Sequence, residues 1–204
     1  EVGSEQERIA TQLVENDAHL HTGSLERARA VQQLMLFGMN AKELRRHGVS
    51  REEAAAAKKL VEAPTVVEEL ADTVPHLDLV TLGKIADLAE TVESSGGDYE
   101  VLVRQISDEP SQAEFLIEEA RQEANRRAAI ADLREKYEAR GIRVVLERPA
   151  SAASLAALVG EDGERISEEE HEACPGHVVW VRMPRWEEEP VVDAFCMDWK
   201  AAGH

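Results

Sequence analysis

The stretch MNAKELRRHGVSREEAAAAKKLVEAP, residues 39–64, decides how this chain is read. Asn40 has the short polar side chain that caps a helix start, and Leu44 is the apolar residue that such a short helix turns inward. Gly48 can take the left-handed conformation that ends it. Ser50 then caps a second helix with Glu53 at the capping-box position, and Pro64 closes it. Short helix, glycine-containing turn and second helix make the helix-turn-helix pattern, in which Ala54 and Ala55 are the small residues expected to let the helices cross closely.

In that pattern the second helix reads DNA. Its exposed candidates are Ser50, Arg51, Glu52, Lys58 and Lys59. Arg51, near the helix start, is placed to reach a guanine edge, while Arg45, Arg46, Lys58 and Lys59 suit phosphates. The same pattern also fits a helical hairpin that binds no nucleic acid, and Glu52 and Glu53 repel phosphate unless one serves as the cap or accepts from a cytosine amine.

Charge singles out the same region. The chain carries 41 acids against 23 bases, a formal −18, which argues against bulk electrostatic coating of nucleic acid. Residues 24–62 hold eight bases and five acids, a surplus of +3, so the remainder carries −21. A local basic segment can meet phosphate within about one Debye length, roughly 8 Å at physiological salt, while distant acidic surfaces discourage non-specific adhesion.

Working outward, residues 24–37 predict a helix capped by Ser24, with Leu25, Ala28, Val31, Leu34 and Met35 on its apolar side and Gly38 as its stop. Before it, IATQLVEN has a helical rhythm at Ile9, Leu13 and Val14. After it, helices are expected over 66–74, 81–93, 99–107 and 111–140, the last dense in Ala, Arg and Glu and read as a solvated face or a coiled-coil seam. Aromatics are only 4% of the chain, which favours helices packed through small aliphatic side chains. No apolar run is long enough to cross a bilayer, so a cytoplasmic protein without membrane association is expected.

At Gly141 the composition changes. IRVVLERP predicts a strand over 143–147, SAASLAALVG a short helix, EDGERIS a turn, and HVVWVRM and EPVVDAFCMD a strand pair joined by 184–188. The fold expected is mainly α: a helix-turn-helix domain, a long helix and a small α/β module.

That module holds Cys174 and His177, then Cys196 and His204. A hairpin centred near residues 186 and 187 sets position 177 across from about 196 and brings the two Cys/His pairs together. Two thiolates and two imidazoles can close a tetrahedral structural Zn²⁺ shell. Buried unligated residues, a cross-hairpin disulfide, or a site using His171 instead remain open, and the seven-residue spacer before His204 is longer than usual for a zinc finger. No nucleophile elbow, phosphate-binding glycine loop or His-Glu-x-x-His motif is present, so no catalytic residue is assigned.

The run QLVENDAHLHTGSLERARAVQQLMLFGMN followed by the capped helices, then PHLDLVTLGKIADLAE, and finally GIRVVLERP, EEEHEACPGHVVWV and FCMDWKAAGH, resembles the ParB partition-protein family, in particular ParB-like proteins of actinobacterial plasmids and integrative elements. The resemblance implies a homodimer that binds an inverted-repeat, centromere-like site on double-stranded DNA and works with a ParA-type ATPase, associated with the nucleoid or a plasmid. It also implies an N-terminal CTP-binding clamp, of which Glu15 and Asn16 would be the nucleotide and Mg²⁺ contacts. The arginine-rich phosphate motif of that domain is not in this sequence, and ENDAHLH offers His19 and His21 where an arginine is usual, so CTP and Mg²⁺ are expected only in an intact protein. The expected organisation is a nucleotide-domain remnant over 1–22, the DNA-binding domain over 23–97, a helical connector over 98–141 and the α/β module over 142–204. A helix-turn-helix repressor of a mobile element, or a protein-interaction adaptor that never meets DNA, are the alternatives.

Overall fold

A computed structural model describes residues 2–19, 23–150, 153–154, 172–174, 176–184 and 189–197. The chain divides into two compact units, Glu1–Ala124 and Asn125–His204. The first is helical and the second carries a small sheet, so a mainly helical chain with a C-terminal sheet is what the structure shows.

Helix α1, Val2–His19, buries Ile9, Ala10 and Leu13 against α2, Ser24–Leu36. The cap of α2 differs from the sequence expectation: it is Gly23, and the Ser24 hydroxyl instead donates to the Leu77 carbonyl. A tertiary acceptor has taken the hydroxyl that a local cap would use. The stop is as expected, with Gly38 at φ +91°.

The next two helices are short and capped at both starts. Helix α3, Ala41–Arg46, has Asn40 accepting from the Lys42 and Glu43 amides while the Glu43 carboxylate accepts from the Asn40 amide. Helix α4, Arg51–Lys59, repeats the arrangement with Ser50 and Glu53. Between them Gly48 sits at φ +77°, and the Val49 amide reaches back to the Leu44 carbonyl at 3.1 Å, a left-handed helix ending that a side chain would strain. The α3 box satisfies three amide donors and the α4 box two, and each contributes about 1 kcal/mol.

Helix α4 packs chiefly on α6, Leu79–Ser94, and on α2. The small residues at these crossings are Ala56 and Ala57, both buried, whereas Ala55 is exposed and Ala54 is half-buried, which moves the expected pair on by two residues. Ala56 faces Gly83 of α6 so closely that a Cβ on Gly83 would collide with it. Gln32 of α2 donates to the Ala57 carbonyl.

Helix α5 is Thr65–Thr73, with Pro64 at its cap, so this proline opens a helix as well as following one. Helix α6 starts earlier than its apolar stripe predicts because Asp78 caps it, accepting from the Thr81 amide at 2.9 Å. Helix α7, Tyr99–Asp108, is tied to α6 by the Tyr99 hydroxyl, which donates to the Ile85 carbonyl at 2.8 Å. After a 3₁₀ turn at Pro110–Gln112 comes α8, Ala113–Ala139, whose fully buried residues are Ala113, Ile117 and Ala124.

In the second unit four strands run in the order β1-β3-β4-β2. Strand β1, Arg143–Val145, is parallel to β3, His177–Arg182; β4, Val191–Cys196, is antiparallel to β3. Strand β2, Ala153–Ser154, pairs with Cys196 and Phe195 of β4. Two residues of the expected short helix SAASLAALVG are therefore strand, because they complete the ladder of β4; residues 155–160 of that helix and the EDGERIS turn lie outside the described residues.

Candidate nucleic-acid interface

The exposed side of α4 is read directly from its wheel. Arg51, Ala55 and Lys58 are four and three residues apart, hence on one stripe, and all are exposed; Glu52 and Lys59 flank them. Arg45 and Arg46 are exposed in the last turn of α3. Arg45 and Arg46 in the last turn of α3, and Lys58 and Lys59 in the last turn of α4, also complement the helix dipoles, an ordinary reason for their positions that does not extend to Arg51 at the start of α4.

Not all of the segment's cations face outward. Lys59 Nζ lies 2.5 Å from Asp87 Oδ1 of α6, although both side chains remain about half exposed (43% and 51%). Arg27 is turned inward: its Nε donates to Glu53 Oε1 at 2.7 Å and its Nη2 donates to the Gly48 carbonyl at 3.3 Å. Glu53 also accepts from the Ser50 amide at 2.7 Å, and the Ser50 hydroxyl, half-buried, accepts from the Glu53 amide at 3.0 Å. One carboxylate thus joins α2, the turn and the start of α4. Burial pushes the Glu53 carboxyl up, but the Arg27 bond and the Ser50 amide outweigh it and hold it below the usual glutamate value.

This arrangement changes the charge of the candidate surface. Glu53 is withdrawn and neutralised, leaving Glu52 as the exposed acid among Arg51, Lys58 and Lys59. Arg27 and Asp87 had no signal in the sequence as partners, since each lies 26 or more residues from the charged group it pairs with. The one available hint for Arg27 is its position four residues before buried Val31, at the edge of the α2 stripe.

The remaining sequence candidates fall elsewhere. Glu15 and Asn16 lie on the backbone of α1, and their side chains are outside what the structure describes. In the sheet unit His177 is in register with Cys196, as the hairpin reading expects. Cys174 and Cys196 are buried and not disulfide-linked, and burial together with the neighbouring Cys196 thiol pushes the Cys174 thiol up. The His177 amide donates to the Cys174 carbonyl at 3.1 Å, with Gly176 at φ +68°, so Cys174 and His177 bracket a tight turn. His204 and His171 lie outside the described residues, and among the described ones no group of three His, Cys, Asp or Glu side chains is disposed to hold a metal ion. Nor, among them, is any helix long and apolar enough to cross a membrane.

Compared with known proteins, the chain matches no protein-family model, no curated protein and no solved structure.

Proposed function

We propose that this chain is a site-specific double-stranded DNA-binding protein of the ParB class, in which α3 and α4 form a helix-turn-helix and α4 enters the major groove. The observation that carries this reading is the α4 face of Arg51, Ala55 and Lys58, held by a capping box that Arg27 and Glu53 tie to α2. Rigid attachment on one side and an unburied basic stripe on the other are what groove insertion needs. Arg51 would read a guanine edge, with Ser50 beside it; Arg45, Arg46, Lys58 and Lys59 would hold phosphates, Lys59 exchanging Asp87 for DNA.

Binding as a homodimer to an inverted repeat, action with a ParA-type ATPase and residence on the nucleoid or a plasmid belong to the same proposal. CTP and Mg²⁺ enter it only for an intact protein carrying the arginine motif upstream of Glu15 and Asn16. For the tail, the proposal includes a structural zinc held by Cys174, His177 and Cys196 with His204; its support is the turn at Cys174, the adjoining Cys196 thiol and the His177–Cys196 register. Elemental analysis should return about one zinc per chain, lost in Cys174→Ser; metal-free protein with a folded tail rejects it.

The deciding experiment is genomic occupancy of the full-length protein in its host. A broad domain around one inverted repeat supports partition, and narrow promoter peaks support the repressor alternative. The adaptor alternative draws on Leu36, 86% exposed, and Val61, 66% exposed, which offer apolar contacts beside the same helices; it is favoured if occupancy is absent and binding to partners is insensitive to salt.

A further inference from the structure

Strand register fixes which side chains of the tail sheet share a face. With Arg143 opposite Val178, Val145 opposite Trp180, Trp180 opposite Asp193 and Phe195 opposite both Val178 and Ser154, one face carries Arg143, Val145, Val178, Trp180, Arg182, Asp193, Phe195 and Ser154. Val178 and Phe195 are buried in it, whereas Trp180, Arg182 and Asp193 are half-buried. A depression of about 410 Å³ opens there, lined by Arg148, Ser154, Trp180, Arg182, Asp193 and Phe195.

Its chemistry is particular. The Arg182 guanidinium lies 5.4 Å from the Trp180 ring centroid and is kept there by Asp193, whose Oδ2 accepts from Arg182 Nε at 2.7 Å. A guanidinium held over an indole face offers a flat cationic surface backed by a ring, on which another planar ring can pack. The Arg182–Asp193 pair cancels in charge, so among the described lining residues exposed Arg148 leaves one positive charge in excess, within a chain of net −18. The ligand that uses all of this is a planar aromatic ring carrying an anion. An acidic peptide would engage Arg148 but leave the Trp180–Arg182 wall unused. The volume lies within the range of small-molecule sites.

We propose that this depression binds a nucleotide unit, the base packing on the Trp180–Arg182 wall and the phosphate held by Arg148, with the Ser154 hydroxyl available to sugar or phosphate. The unit comes either as a free nucleotide or as one residue of a single strand. The site is independent of the α4 surface and does not rest on it.

The test uses the full chain. The sequence has three tryptophans, so Trp186→Phe with Trp199→Phe leaves Trp180 as the only indole emitter; calorimetry on the unsubstituted protein covers the case that this background folds poorly. Nucleoside monophosphates, the matching nucleosides, inorganic phosphate and a short single-stranded oligonucleotide are titrated in turn. The expected result is saturable quenching by monophosphates, weaker by nucleosides, with affinity about tenfold lower in Arg148→Ala and unchanged in Arg51→Ala. Tighter binding of the oligonucleotide assigns the source as a strand, and preference for the monophosphate assigns a free nucleotide. Absence of saturable binding by either method, equal binding of phosphate alone, or full affinity in Arg148→Ala overturns the proposal.

Discussion

Two ion pairs of the same length sit in very different places. Arg27–Glu53 in the helical unit and Arg182–Asp193 in the sheet unit are both 2.7 Å, but the first pair's side chains are 14% and 19% exposed and the second's 37% and 36%. The first joins α2, the turn before α4 and the start of α4, and finishes a helix cap; the second links neighbouring strands of one hairpin and leans on a ring that water also reaches. Coulomb attraction at equal distance is therefore not equal stabilisation. Removing one partner of the sheltered pair strands a charge that water cannot easily reclaim, while water and salt replace most of what the open pair supplies.

The largest effect expected in this contrast comes from the side of α4 that has no room. Gly83→Val should cost about 3 kcal/mol because its side chain must displace Ala56, read as a lower urea midpoint with unchanged slope. Next is Arg27→Ala, expected to cost roughly 2 kcal/mol through the stranded Glu53; Glu53→Gln added to it should recover part of the loss, and a double-mutant cycle without coupling would erase the distinction between the pairs. Acid should act through the same carboxylate. Because Glu53 titrates below its usual 4.5 when folded, its contribution is complete above that value and is lost as pH falls through the depressed one. In Glu53→Gln the stability of the helical unit should fall less steeply over that range in acid melts. Smallest is Arg182→Ala, expected at under about 1 kcal/mol and smaller still in high salt; a loss equal to that of Arg27→Ala would mean that exposure is the wrong measure.

What was legible in the sequence was what neighbours decide. The caps at Asn40 and Ser50, the endings at Gly38 and Gly48 and the inward Leu44 each depend on residues within one helical turn, and all are found in the fold. The hairpin register of His177 and Cys196 was also readable, since counting from the turn fixes it. What failed was what distant partners decide. Ser24 looked like a cap until Leu77 supplied a carbonyl, the alanines that pack were known only once Gly83 lay opposite, and β2 looked helical until β4 offered it a ladder. At the candidate interface the exposed bases followed from the apolar pattern behind them, but beyond Arg27's place at the edge of the α2 stripe nothing local shows that Arg27 turns inward to Glu53 or that Lys59 is shared with Asp87.

The parallel pairing of β1 with β3 sets an order in time. Arg143 meets Val178 across a long crossing, and β3 then needs the strand ending at Cys196 beside it. Such loop closures are entropically costly before any contact repays them, whereas capped helices joined by short turns close rapidly. In the helical unit the packed neighbours are close in sequence, so its contacts are expected to form sooner than those of the sheet. The sheet needs β4 beside β3 and β1 brought back across the longer loop, so its assembly is expected to be the slower of the two.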